Sequence, residues 1–238
     1  MFTFSSLHEF YDSSWQQPIL LVASQLVFLI VALVRCRKNW GVFQRIGLIF
    51  FATSMFDAVA TANQVPIIGE WPPLVKSILP TFFVILGDFR VFFSATRLYF
   101  QKSKWLLSIV CSLVTPIASM LLMKILFGQA SDAMPLRILF LVYELTFIVF
   151  YFTFYQTLQR MARDGNASTF FEHDGASLQR LHFTTIVFYA FWIVADILLL
   201  MWPESRIGYS FRIFANVTYY AFLPYVILTI PSKTNPNL

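Results

Sequence analysis

Five ionisable side chains stand inside runs that are otherwise apolar: Asp57, Asp88, Arg90, Glu144 and Asp196. A carboxylate in such a place can hold a cation, exchange a proton or pair with an arginine. Each costs about 2.5–3.5 kcal/mol at the centre of a membrane helix, so each must face protein or water rather than lipid. Spacing says more. Asp88 and Arg90 are two residues apart, which on a helix turns them to opposite sides and rules out a simple salt bridge within the helix. Arg90 shares a face with Ser94 and Arg97, and Asp88 shares the other with Thr81. Each charge therefore needs a partner from another helix.

The other acids have legible neighbours. Ser54, Asp57, Thr61 and Gln64 form one polar stripe, and Tyr189, Trp192 and Asp196 form another. Glu144 aligns with Ile148, Tyr151 and Tyr155, while Arg212, Asn216 and Tyr219 or Tyr220 share a side further along. If these faces converge, they line a hollow with carboxylates, phenols and one indole, chemistry suited to protons or to an organic cation against aromatic faces. The candidate ligand- or ion-binding set is therefore Asp57, Asp88, Arg90, Glu144, Trp192, Asp196, Asn216 and Tyr219. The plainer alternative is interhelical glue: buried pairs that fix packing and meet no ligand. For Glu144 that alternative has named partners, Arg137 or Arg212.

The elements that must position these residues follow from composition. Of 238 residues, 58% are hydrophobic and 12% charged, against about 25% charged in an ordinary soluble domain. The mean hydropathy is +0.68. Seven segments reach the length of about 20 residues that a helix needs to cross the hydrocarbon core. They fall near 18–35, 43–64, 75–99, 105–127, 136–158, 181–202 and 208–230. Their long unbroken runs do not alternate as barrel strands would. The expected fold is all-α, a polytopic seven-transmembrane-helix bundle over 18–230. A short tail, 1–17, precedes it, 231–238 follow it, and 160–180 form a polar loop. The first residues have neither a basic region nor a small-residue cleavage site, so no cleaved signal peptide is expected.

Basic residues give a direction. Arg35, Arg37, Lys38, Arg45, Arg97, Lys102, Lys104, Arg160, Arg163, Arg180 and Lys233 fall on one side, and only Lys76, Lys124, Arg137, Arg206 and Arg212 on the other. The positive-inside rule then places the N-terminus outside and the C-terminus in the cytoplasm. Trp15, Trp40, Trp71, Trp105 and Trp202 near span ends suit an interfacial belt. With this direction, Asp57, Glu144 and Asp196 lie about one helical turn to the outer side of their span centres. Asp88 is central and Arg90 slightly inward, placed to offset the acids' charge. His182 reads as a polar terminus at the cytoplasmic edge, and the phenylalanines as lipid-facing bulk.

Absences narrow the function. The basic residues (pI near 9.3) flank spans rather than form a patch, so no nucleic-acid partner is expected. Cys36 and Cys111 lack C-x-x-C spacing, and His8, His173 and His182 are too scattered for a metal site, so neither metal nor cofactor is expected. The sequence lacks H-E-x-x-H, G-x-S-x-G and any glycine-rich phosphate loop, which argues against an enzyme without excluding acid–base chemistry on a lipid. The topology is similar to that of microbial rhodopsins, but the seventh span holds no lysine for a retinal Schiff base. Asn166-Ala-Ser168 and Asn216-Val-Thr218 match glycosylation acceptors, yet one is placed in the cytoplasm and the other inside a helix, so neither is expected to be modified.

The expectation is an integral multi-pass protein of a bacterial inner membrane or a eukaryotic plasma membrane or endomembrane. It would be a small transporter or ligand-binding protein for a cation, protons or a small polar solute. A heptahelical receptor, sensor or accessory subunit is the alternative. Expected partners are membrane lipids, a small cationic or polar ligand, and a second membrane protein or another copy of the chain.

Overall fold

The computed structural model describes residues 6–37, 40–61, 72–100, 104–128, 136–161 and 168–231, without the side chains of 73, 74, 76, 77, 136 and 168–174. Gln64, Trp71, Lys38, Lys102, Arg163, Lys233 and Asn166 lie outside the described residues, as do the side chains of Lys76 and His173. All regular elements described are helical. They are α1 (Leu7–Tyr11), α2 (Leu21–Cys36), α3 (Val42–Ala60), α4 (Pro73–Phe100), α5 (Trp105–Phe127), α6 (Leu136–Met161), α7 (Ser168–Met201), α8 (Arg206–Val217) and α9 (Leu223–Leu228). A π-helical turn, Trp15–Leu20, leads into α2, and another, Thr218–Phe222, joins α8 to α9.

Among the described residues seven helices are long and apolar enough to cross a membrane: Trp15–Cys36, Val42–Ala60, Ile78–Phe100, Trp105–Phe127, Arg137–Met161, Gly175–Met201 and Arg206–Leu228. These agree with the seven expected segments to within a few residues. The backbone of a helix satisfies its own hydrogen bonds, which lipid cannot do for it. Trp15, Trp40, Trp105 and Trp202 are all exposed near helix ends, as an amphipathic indole at a membrane interface should be.

Two expectations change. Helix α7 begins at Ser168, so the second half of the stretch read as a polar loop is helix. Only Gly175 there is a helix breaker, and Leu178 and Leu181, both buried, anchor this polar extension from one side. The phenylalanines are not all lipid-facing either. Phe50, Phe51, Phe83, Phe92, Phe93, Phe147 and Phe188 are buried. Ring contacts explain this: Phe92 sits 5.1–5.8 Å from the rings of Phe147, Phe150, Tyr151 and Phe154.

The chain divides into two compact units, Met1–Phe83 with Ile213–Leu238, and Val84–Arg212. In the first, α3 packs closely on α9 because Gly47 offers no side chain. A Cβ there would lie 2.6 Å from Leu228 Cβ and 2.7 Å from Leu228 Cα. Buried Gln44 fastens the same contact. Its amide donates to Leu228 O at 3.0 Å and Ile230 O at 2.7 Å, and its carbonyl accepts from Gly41 N at 2.8 Å. One side chain thus serves orphan groups at the start of α3 and the end of α9. In the second unit α6 packs on both α5 and α7. Thr96 and Ser108 join α4 to α5 through their hydroxyls at 3.0 Å. Gly128, at φ +64°, ends α5 and donates to Lys124 O at 3.0 Å.

Gly47→Ala must push α9 away, and a backbone clash of this kind costs roughly 1–3 kcal/mol. Thermal unfolding in detergent should show a lowered midpoint; an unchanged one would mean that α3 and α9 do not touch at this glycine.

Candidate functional site

Of the eight candidate residues, Asp88, Arg90, Glu144, Trp192 and Asp196 belong to the unit Val84–Arg212, and Asp57, Asn216 and Tyr219 to the other. All but Trp192 are buried, with Arg90 and Asp196 at 0% exposure and Asp88 at 1%.

Asp88 lies on α4. Both of its oxygens are taken by phenols: Tyr143 of α6 donates to Oδ2, and Tyr189 of α7 donates to Oδ1 at 2.6 Å. No lysine or arginine nitrogen of a described residue comes within ion-pair distance of this carboxylate. The partner from another helix that the sequence demanded is present, and it is a pair of neutral donors. Aromatic packing holds Tyr189 in place. Phe147 stacks on Tyr189 with centroids 3.9 Å apart, and Trp192 meets Tyr189 edge-on at 5.4 Å. Arg90 is wholly enclosed on the same helix.

Glu144 and Asp196 are treated differently. Arg212 Nη1 bonds directly to Asp196 Oδ1 and stands 4.0 Å from Glu144 Oε1. Arg137 Nη1 approaches Asp196 Oδ1 at 3.7 Å. Two acids thus meet two arginines at the N-terminal end of α6 and the C-terminal end of α7. Tyr209 and Phe140 brace the cations: Arg137 Nη2 donates to Tyr209 Oη at 3.3 Å, and the Arg212 guanidinium lies 5.4 Å from the Phe140 centroid. The close approach of α8 to α7 rests on Gly208, where a Cβ would meet Leu199 Cγ at 2.8 Å. The pairing of Glu144 with Arg212 is one that the sequence named. Asp196, whose charge the sequence reading left to Arg90, is met instead by Arg212 and Arg137. Tyr143 was also missed, although it adjoins Glu144 in the chain.

In the other unit, Thr61 Oγ1 donates to Asp57 O at 2.8 Å and reaches Asp57 Oδ1 at 3.4 Å. Gln17 Nε2 donates to Thr61 Oγ1 at 2.7 Å and to Ala58 O at 3.3 Å, tying the first span to the end of α3. Tyr219 Oη donates to Phe83 O at 3.4 Å. Asn216 is buried in α8. Asp57 and Thr61 thus touch at the end of α3.

A further group escaped the sequence reading. His182 ends no helix, because α7 continues past it to Ser168. Its ring stacks on Tyr155 at 3.5 Å and faces Tyr151 at 5.5 Å. The available signal was heptad spacing: His182, Tyr189 and Asp196 recur every seven residues on α7, which keeps them on one side.

Seven apolar spans with enclosed acids define an integral multi-pass membrane protein. No protein-family model, curated protein or solved structure matches the chain. Among the described residues no group of three or more His, Cys, Asp or Glu side chains could hold a metal ion.

Removing Arg212 should leave Asp196 and Glu144 enclosed with one cation fewer. Breaking a buried pair in this way costs about 3–5 kcal/mol, so Arg212→Met should lower unfolding stability by that order. Adding Asp196→Asn should recover about 1 kcal/mol or more. Strictly additive losses would show that the two side chains are not coupled.

Proposed function

We propose that this membrane protein binds a small cation or polar solute at Asp88 and carries it across the bilayer. The observation that supports this reading is the contrast between acids. Glu144 and Asp196 have arginine counter-charges, whereas Asp88, enclosed at mid-span, is held by two phenols that orient it without neutralising it. A carboxylate presented in this manner has no counter-charge from a described residue, so a cation or a proton can supply one, and the aromatic side chains of Tyr143 and Trp192 suit an organic cation. The arginine–acid cluster is then a structural lock that keeps α6, α7 and α8 in register around the binding residue. Intramembrane ionisable residues that face the protein interior commonly mark such pathways.

A ligand that binds only the folded protein raises its apparent stability in proportion to the logarithm of concentration. Purified protein titrated with sodium, potassium or tetramethylammonium chloride should therefore show a rising unfolding midpoint for at least one cation. That rise should vanish in Asp88→Asn and weaken in Tyr189→Phe. Equal shifts in wild type and Asp88→Asn would remove Asp88 from the site. Binding without uptake of the same cation into proteoliposomes would assign the receptor or accessory-subunit role instead of transport.

A further inference from the structure

Three polar stations follow one another along the contact between α6 and α7. At one level are Glu144 and Asp196, whose second oxygens, Oε2 and Oδ2, are enclosed and accept no hydrogen bond from a described residue. At the next is Asp88, with Tyr143 and Tyr189 bonded to it. At the third are Tyr151 Oη, beside Thr185, and His182 Nδ1, both enclosed and without a hydrogen bond of good geometry among the described residues. Seven residues separate Asp196 from Tyr189 and Tyr189 from His182, a rise of roughly 10 Å each. Glu144 and Tyr151 are seven apart on α6. The outer and inner stations thus lie on facing sides of α6 and α7 at matching levels, and Asp88 of α4 reaches the middle one through Tyr143 and Tyr189. Rings fill the seam between them: Phe147 stacks on Tyr189 at 3.9 Å and on Tyr151 at 5.5 Å, and Tyr151 faces His182.

We propose that this seam is a proton path that runs through Asp88. It rests on the reading of Asp88 as a cation site given above and adds the proton to the cations that site takes. In the direction set by the positive-inside rule, a proton from outside adds to the vacant Glu144 Oε2 or Asp196 Oδ2. It passes through the phenol hydroxyls to Asp88, and then by way of Tyr151 to His182 Nδ1; the imidazolium so formed releases its Nε2 proton to the cytoplasm, and a turn of the ring or a return proton shift restores the first tautomer. Only O–H and N–H bonds form and break, each group returns to its starting state, and no redox partner is needed. Water completes the hops that side chains alone do not span.

The charges along the route have distinct effects. Arg137 and Arg212 flank the outer acids and keep a metal cation from settling there. Arg90 and Arg97, on α4, add positive charge on the inward side of Asp88. A hydrated sodium or potassium ion meets that barrier as a whole charge. A proton resting on Asp88 is held as a neutral carboxylic acid, so it meets that barrier as a charge only on the steps between acids. Tyr155, stacked on His182, fixes the ring so that Nδ1 stays turned into the seam.

The test uses full-length protein in liposomes loaded with a pH-sensitive dye, with the membrane potential clamped by potassium and valinomycin. An imposed pH step should relax faster than in empty liposomes. His182→Ala and Tyr151→Phe should each slow it by about a hundredfold, the low end of what a positioned proton-transfer group supplies. Asp88→Asn should abolish it, Asp88→Glu should retain it, and lipid-facing Ile125→Ala should match wild type. Unfolding midpoints of each variant separate loss of function from loss of fold. Wild-type flux no faster than empty liposomes overturns the path, as does full flux in both His182→Ala and Tyr151→Phe. If flux is absent but a metal or organic cation still stabilises wild type and not Asp88→Asn, the binding role of Asp88 survives and the proton path falls. Full flux in Asp88→Asn overturns both.

Discussion

Lipid offers a buried polar group nothing to bond to, so a polar side chain in this chain depends on partners inside the protein. The hydrogen bonds from Tyr143 and Tyr189 to Asp88 are the most consequential answer to that constraint. They join α4, α6 and α7 at mid-span, and they hold an acid without cancelling it. Elsewhere the same requirement is met by other chemistry. Arg137 and Arg212 answer Glu144 and Asp196 with charge. Gln44 answers the orphan carbonyls at the end of α9 with an amide, and Gln17 links the first span to Thr61.

The proposal for Asp88 rests on the difference between these answers. A carboxylate paired with arginine repays its desolvation through that pair and gains little from a further cation. One held by neutral phenols retains unspent attraction. Burial alone therefore does not distinguish the acids: Asp88 and Asp196 are both enclosed, and only the identity of their donors sets them apart. The aromatic seam serves both purposes, since rings that fix Tyr189 also keep the surroundings of Asp88 apolar and its interactions strong.

Much of the architecture was legible in the chain because hydropathy is summed over about 20 residues, and no single misjudged position spoils the sum. The demand for partners from other helices was legible as well, since two residues on a helix cannot face one another. Donor identity was not. Tyr143 lies next to Glu144, but which helix it faces depends on packing rotation, which a short window does not fix. Arg137 and Arg212 were legible as partners for Glu144, but they sit near span ends, where arginine ordinarily snorkels to the interface, and nothing showed that they also reach Asp196. The start of α7 was hidden by its polarity, because the hydropathy signal marks what lipid covers and is silent on helix continuing beyond it. Convergence of phenylalanines on Phe92 likewise leaves no one-dimensional trace.

The central claim is that Asp88 draws its support from both tyrosines at once. Double-mutant cycles on unfolding stability, pairing Asp88→Asn with Tyr143→Phe and with Tyr189→Phe, measure it most directly. Contacting groups in one network should give coupling energies of about 0.5–3 kcal/mol in each cycle. Additivity to within about 0.5 kcal/mol in both would contradict the account.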